Sequence, residues 1–106
     1  MLVQEHLCDA SKWTQGNLAK DESGGVVGFR DQRAACWCLK GSILSCYSQV
    51  GGYPSAAALQ VINRVEDYLY EITDGLHGGM HGIGMWNDDP IRTFDDVRRV
   101  AEALSI

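Results

Sequence analysis

Residues 55–73 read SAAALQVINRVEDYLYEIT. Ala58, Val61, Ile62, Val65, Tyr68, Leu69 and Ile72 recur at the three- and four-residue spacing that gathers side chains on one side of an α-helix. Gln60, Asn63, Arg64, Asp67 and Glu71 fall on the other side. Ser55 offers a side-chain oxygen to the first free N–H groups, and Gly51, Gly52, Tyr53 and Pro54 predict a turn before it. A helix with one apolar side must bury it against something else, so the neighbouring segments are read as its partners.

Downstream, Thr93 followed by Asp96 is a capping pair, with Pro90 just outside, and it predicts a last helix. Val97, Val100, Ala101 and Leu104 face inward, leaving Arg98, Arg99 and Glu102 in solvent. Upstream, Asp31 is a reasonable cap for a helix from about Gln32 to Ser48, with Ala35, Cys36, Leu39, Ile43, Cys46 and Tyr47 as its broad apolar face. Ala34, Cys38, Gly41 and Ser45 form a stripe of small side chains where another backbone can come close, which makes this helix the central one. Leu2, Val3, His6, Leu7 and Ala10 predict a short first helix over residues 2–11.

Between them, residues 13–21 (WTQGNLAKD) and the break at Ser23, Gly24 and Gly25 lead into the β-type run Val26, Val27, Gly28, Phe29. Without a second clear strand partner, a small β arm near residues 26–29 is expected and a sizeable sheet is not. Gly75 to Asp89, with five glycines, two histidines, two methionines and Trp86, is expected to be a long irregular connection. The fold class is therefore mainly α: a compact bundle of about four helices, residues 1–106 forming a single helical domain.

With 106 residues, 45% of them hydrophobic and 22% charged, the chain has material for one core. Nothing approaches the roughly 20 apolar residues needed to span a bilayer, and Glu5, His6 and Asp9 occupy the place of a signal peptide's apolar run. A cytoplasmic protein without membrane association is expected. Nine Lys and Arg against fourteen Asp and Glu give a net charge of −5, the wrong sign for a general nucleic-acid binder. Nucleic acid is not an expected partner.

Cys8, Cys36, Cys38 and Cys46 are read as reduced thiols. No metal or other cofactor is expected: on a helix Cys36 and Cys38 would lie about 200° apart, and the glycines around His77 and His81 spoil their i, i+4 spacing for a helix. The glycines at 75, 78, 79, 82 and 84 lack the preceding strand and the Lys-Ser or Lys-Thr pair of a phosphate cradle. No catalytic residue is assigned, although Cys36 or Cys38 with His77 or His81 and Asp88 supplies the residue types of a thiol- or zinc-dependent enzyme.

The two tryptophan segments are the candidate binding surface: Trp13, Gln15 and Asp21 in one, Trp86, Asn87, Asp88 and Arg92 in the other, because Trp and Arg are enriched where partners are held. A structural reading stands beside it, with Trp86 anchoring the last helix, Asn87 and Asp88 bonding local backbone and Arg92 pairing with Asp88 or Asp89. Trp13, Gln15, Gly16, Ala19 and Asp21, then Cys38 and Gly41, then Trp86, Asn87, Asp88, Arg92, Thr93 and Val97 follow a common order and spacing. That pattern resembles an uncharacterised small domain family of bacteria and their phages, and it spans most of the chain. The resemblance carries no activity, cofactor or catalytic residue. The abbreviated first helix and the glycine- and histidine-rich insertion at 75–84 depart from it. The expected function is a small acidic noncatalytic interaction or regulatory protein that binds a protein partner, one version being an inhibitor of a host defence or regulatory enzyme. A self-associating structural module is the further alternative, since the apolar faces are long enough for a homo-oligomer.

Overall fold

The computed structural model describes residues 1–48, 55–76 and 82–106. Among them are five α-helices, α1 (Val3–His6), α2 (Leu39–Tyr47), α3 (Ala56–Ile72), α4 (Gly82–Asp88) and α5 (Phe94–Ala103), and three two-residue strands, β1 (Ala19–Lys20), β2 (Val26–Val27) and β3 (Cys36–Trp37). The chain is mainly α with a short β arm. α3 follows its spacing: Ser55 Oγ accepts from the Ala58 N–H at 3.2 Å, and Ala58, Val61, Ile62, Val65 and Leu69 are buried. Ile72 differs, being 51% exposed at the end of the helix. The turn read at residues 51–54 lies outside the described residues.

α5 starts as its capping pair predicts, the Thr93 hydroxyl accepting from the Asp96 N–H and the Asp96 carboxylate accepting from the Thr93 N–H. Leu39, Ile43 and Leu44 of α2 meet the buried side of α3, Ile83 and Trp86 of α4, and Val97, Val100 and Ala101 of α5 in one core, with Val3 and Leu7 closing one end. Each such side chain contributes roughly 1.5–3 kcal/mol by leaving water.

Three boundaries depart from the sequence reading. The helix expected over 32–48 begins only at Leu39. Asp31 does not cap it; its carboxylate accepts from the Arg33 N–H at 2.8 Å in a local turn. The Ala35 N–H goes to the Lys20 carbonyl, and β3 pairs antiparallel with β1 in register Ala19↔Trp37 and Lys20↔Cys36. β1 also pairs with β2, so the order is β2-β1-β3. Cys36–Trp37 is thus the strand partner that was not expected, long-range pairing having overridden local helix preference. Cys38 is the true N-cap, its sulfur accepting from the Gly41 N–H at 3.3 Å.

The helix expected over 2–11 is interrupted: α1 spans Val3–His6, and a 3₁₀ turn at Ala10–Lys12 follows, with Asp9 accepting from the Ser11 N–H. The connection read as irregular to Asp89 contains α4, because Ile83, Trp86 and Asn87 put one buried side against α3 in spite of Gly82 and Gly84.

Of the small-residue stripe, Gly41 is where another backbone comes close. A Cβ there would lie 2.0 Å from the Leu18 carbonyl oxygen and 2.9 Å from its carbon. α1 is held by the Gln4 N–H bond to the Ile106 carbonyl and by His6, whose Nδ1 lies 2.7 Å from the hydroxyl of fully buried Ser42. The His6 ring also packs 4.1 Å from that of Trp37.

Two measurements test this packing. Gly41→Ala is expected to destabilise the protein by about 3 kcal/mol in urea unfolding, since backbone must move. Gly84→Ala, with open space around the new Cβ, is expected to add up to about 1 kcal/mol by favouring the helix. Equal effects would mean that the Leu18–Gly41 approach is not tight. Burial, and secondarily Lys12, lowers the His6 pKa from 6.5, so folding favours the neutral ring. That stabilisation is complete above the unfolded value and fades as pH falls below about 6.5 towards the depressed folded value. Between neutral pH and the onset of carboxylate titration, His6→Gln is expected to flatten the loss of Tm; an unchanged slope would remove His6 from the account.

Candidate functional site

Asn87, on the inner side of α4, has no solvent exposure. Its Oδ1 accepts from the Trp13 indole N–H at 2.8 Å and from the Leu39 N–H at 3.0 Å, while its Nδ2 donates to the Thr14 carbonyl at 3.1 Å and to Asp88 Oδ1 at 2.9 Å. All four hydrogen-bonding positions of the amide are filled, and the reverse orientation would set its NH₂ against two donors. The Leu39 N–H is one of the free donors at the start of α2, so α4 helps cap α2. Gln15 extends the junction, donating to the carbonyls of Asn87 and Asp89, both at 2.9 Å. The Gly16 N–H donates to Asp88 Oδ1.

Trp86, the residue before Asn87, is only 3% exposed; Arg92 lies 4.2 Å over its ring and donates through Nε to the Trp86 carbonyl at 2.9 Å. Asp89 and Asp96 stand 4.0 and 3.7 Å from its terminal nitrogens. Hydrogen bonding to Thr93, with smaller help from Arg92 and Arg99, keeps the Asp96 carboxyl below its ordinary pKa. Trp86 and Arg92 also belong to an open groove of about 290 Å³, walled by Tyr68 and Ile72 of α3, by its C-cap Thr73, and by Asp96, Arg99 and Val100 of α5.

Of the residues singled out in the sequence, Trp13, Gln15, Trp86, Asn87, Asp88 and Arg92 thus share one junction built on α4. Asn87 reaches Trp13, Thr14 and Leu39 besides its neighbour, where only local backbone bonds were read. Arg92 pairs with Asp89 and with Asp96. Asp21 sits apart in the β1–β2 turn, its Oδ1 accepting from the Ser23 N–H, the Ser23 hydroxyl and the Gly25 N–H. Those bonds hold its pKa below the ordinary value. It lines a polar cleft of about 500 Å³ with Lys12, Glu22 and Arg33. Arg33 is itself held by both oxygens of Asp31, whose pKa falls to about 2.

The four thiols are free. Cys36 lies in β3 and Cys38 caps α2, so they do not share a helix. Burial pushes the Cys38 and Cys46 pKa values up, the opposite of an activated thiolate. Among the described residues no group of three His, Cys, Asp or Glu is placed to hold a metal ion; His77 and His81 lie outside them. No helix among the described residues is long and apolar enough to cross a membrane.

The groove residues Tyr68, Ile72, Asp96, Arg99 and Val100 were not singled out in the sequence. Tyr68, Ile72 and Val100 looked like ordinary core positions of two separate helices, and nothing local shows that those helices part over Trp86. The charges did carry a signal: α3 has Glu71 and no basic residue in its last turn, against the preference of the helix dipole.

Asn87→Ala should cost about 3–5 kcal/mol in chemical denaturation, because it leaves a buried indole N–H and a helix-start N–H without acceptors. Trp13→Phe, which removes one donor and keeps most of the ring, should cost about 1–2 kcal/mol. A loss below about 1 kcal/mol for Asn87→Ala would deny the junction its structural role.

Comparison with curated proteins and with solved structures gave no match. A family model described as a family of unknown function (DUF6197) matches residues 2–104, nearly the whole of the described fold and all of the Asn87 junction. The chain belongs to the DUF6197 family.

Proposed function

We propose that this is a small noncatalytic interaction protein of bacterial or phage origin that binds a protein partner along the groove between α3 and α5. An inhibitor of a host defence or regulatory enzyme is one form such a protein takes. The observation that carries the reading is the groove between α3 and α5, where Tyr68 is partly exposed and Ile72 stands half in solvent beside Arg92 and exposed Arg99. Aromatic and arginine side chains fixed by their own neighbours suit partner recognition, because little freedom remains to be lost on binding. The Trp13 segment serves this surface indirectly: by bonding Asn87 it holds α4, and α4 carries Trp86. The larger cleft beside Asp21 supports recognition less, since Asp21, Asp31 and Arg33 are engaged in local turns.

Affinity capture from a lysate of the native host tests the reading, with the wild-type chain and Ile72→Ser compared at matched thermal stability. One protein retained in near-stoichiometric amount by the wild type, and reduced about tenfold by Ile72→Ser, is the expected result. Retention of nothing, or equal retention by both chains, would remove the proposal. Sedimentation of the purified chain as a dimer disrupted by the same substitution would make the partner a second copy.

A further inference from the structure

The groove between α3 and α5 holds more hydrogen-bond donors than its own acceptors use. Arg92 and Arg99 line it, and among its described lining residues Asp96 is the only carboxylate, so the lining carries one positive charge in excess. Asp96 is already engaged, accepting from the Thr93 N–H at 3.0 Å as part of the α5 cap. Arg92 uses its Nε on the Trp86 carbonyl, while its Nη1 and Nη2 stand 3.7 Å from Asp96 and 4.0 Å from Asp89, close enough to feel those charges and too far to hydrogen-bond to them. The N–H groups on those two nitrogens therefore donate to nothing among the described residues.

Yet the Arg92 side chain is only 14% exposed and is held over Trp86. Its unfilled donors are thus fixed in place at the groove. Arg99, on the α5 wall, is exposed and has no ion-pair or hydrogen-bond partner among the described residues. Two guanidinium groups facing one occupied carboxylate leave room for a second one brought from outside.

We infer that the groove takes a single carboxylate of the protein partner, an Asp or Glu side chain, held by the Arg92 Nη groups and by Arg99, with its hydrocarbon stem along Tyr68 and Ile72. This rests on the reading of the chain as a protein-binding module and names the group that the partner presents. A planar carboxylate offers two oxygens to the fork of a guanidinium. Arg92 gives up little freedom in binding it, because Trp86 and the neighbouring acids already fix the side chain. A phosphate is the poorer occupant, since its second negative charge would face Asp89 and Asp96. The chain's net charge of −5 likewise disfavours a long acidic segment or a nucleic acid, so the carboxylate stands among neutral residues of the partner.

The test uses the full isotopically labelled chain and three blocked tripeptides, Leu-Glu-Leu and its Gln and phosphoserine counterparts, with magnetic resonance shifts of the Arg92 and Arg99 Nε signals followed on titration. The Glu peptide is expected to move both signals and to bind at least about fivefold more tightly than the Gln peptide, with the phosphoserine peptide no tighter than Glu. Arg99→Gln should weaken the Glu peptide about fivefold, and Arg99→Lys, which keeps the charge and loses the fork, by less. Arg98→Gln, the same change of charge one residue away, should leave it within about twofold. Equal binding of the Glu and Gln peptides overturns the inference, as do shifts that bypass Arg92 and Arg99 or full affinity in Arg99→Gln; tighter binding of the phosphoserine peptide overturns the choice of a carboxylate. In the lysate capture, Arg99→Gln should reduce the retained protein as Ile72→Ser does. If only Ile72→Ser reduces it, the groove binds and the carboxylate is wrong; if nothing is retained, the binding reading falls as well.

Discussion

A carboxamide cut off from water must find protein partners for both its oxygen and its nitrogen, and at Asn87 those partners come from neighbouring Asp88 and from two distant parts of the chain. The indole of Trp13 and the backbone of Thr14 fix the segment that leads into the sheet. The Leu39 N–H fixes the start of α2. Removing any of these groups leaves another buried and unmatched, so the junction is held by the cost of breaking it more than by the net gain of each bond. The two-residue strands are too short to set the fold themselves; they tie residues 19–37 to an arrangement that Asn87 and the helical core impose.

The same helix presents buried Trp86, the residue before Asn87, to Arg92. Trp86 is kept in place beneath Arg92, and Arg92 is kept in place by the carboxylates at 89 and 96. Half-buried charge of this kind is costly unless its partners are prearranged, and here the Thr93–Asp96 cap sets one of them. Internal architecture and the base of the candidate recognition groove thus rest on consecutive residues, Trp86 and Asn87, of a single seven-residue helix. The motif residues cluster on α4 for that reason, and a structural role for them does not compete with a binding role for the groove beside them.

How much of this was readable in the residues varies with the range of the interaction concerned. α3 and the start of α5 were legible because their periodicity and caps lie within a few residues of the backbone they organise. Cys36 and Trp37 were misplaced because their strand partner is Ala19–Lys20, far back in the chain, and the local surroundings of Ala34, Ala35 and Leu39 favour helix. α4 was hidden by its glycines, whose local cost is offset by burying Ile83 and Trp86. The importance of Trp13, Gln15, Trp86, Asn87, Asp88 and Arg92 as a group was visible as two strings of turn-formers and aromatics, but their mutual bonds were not. Asp21 was grouped with them on sequence proximity to Trp13, and the β1–β2 turn carries it elsewhere.

By itself the amino-acid sequence determined the class of the fold, the amphipathic α3, the capped α5, the net charge of −5 and a stripe of small residues that includes Gly41. All of these are set by side-chain chemistry over the span of a helix or by simple charge. Tertiary structure alone decided that a buried amide would join three distant segments, that residues 36–37 would leave a helix for a sheet, and that α3 and α5 would part over Trp86. Those outcomes depend on which groups remain without a hydrogen-bond partner or an apolar neighbour once the chain is compact, and that is a property of contacts far apart in sequence.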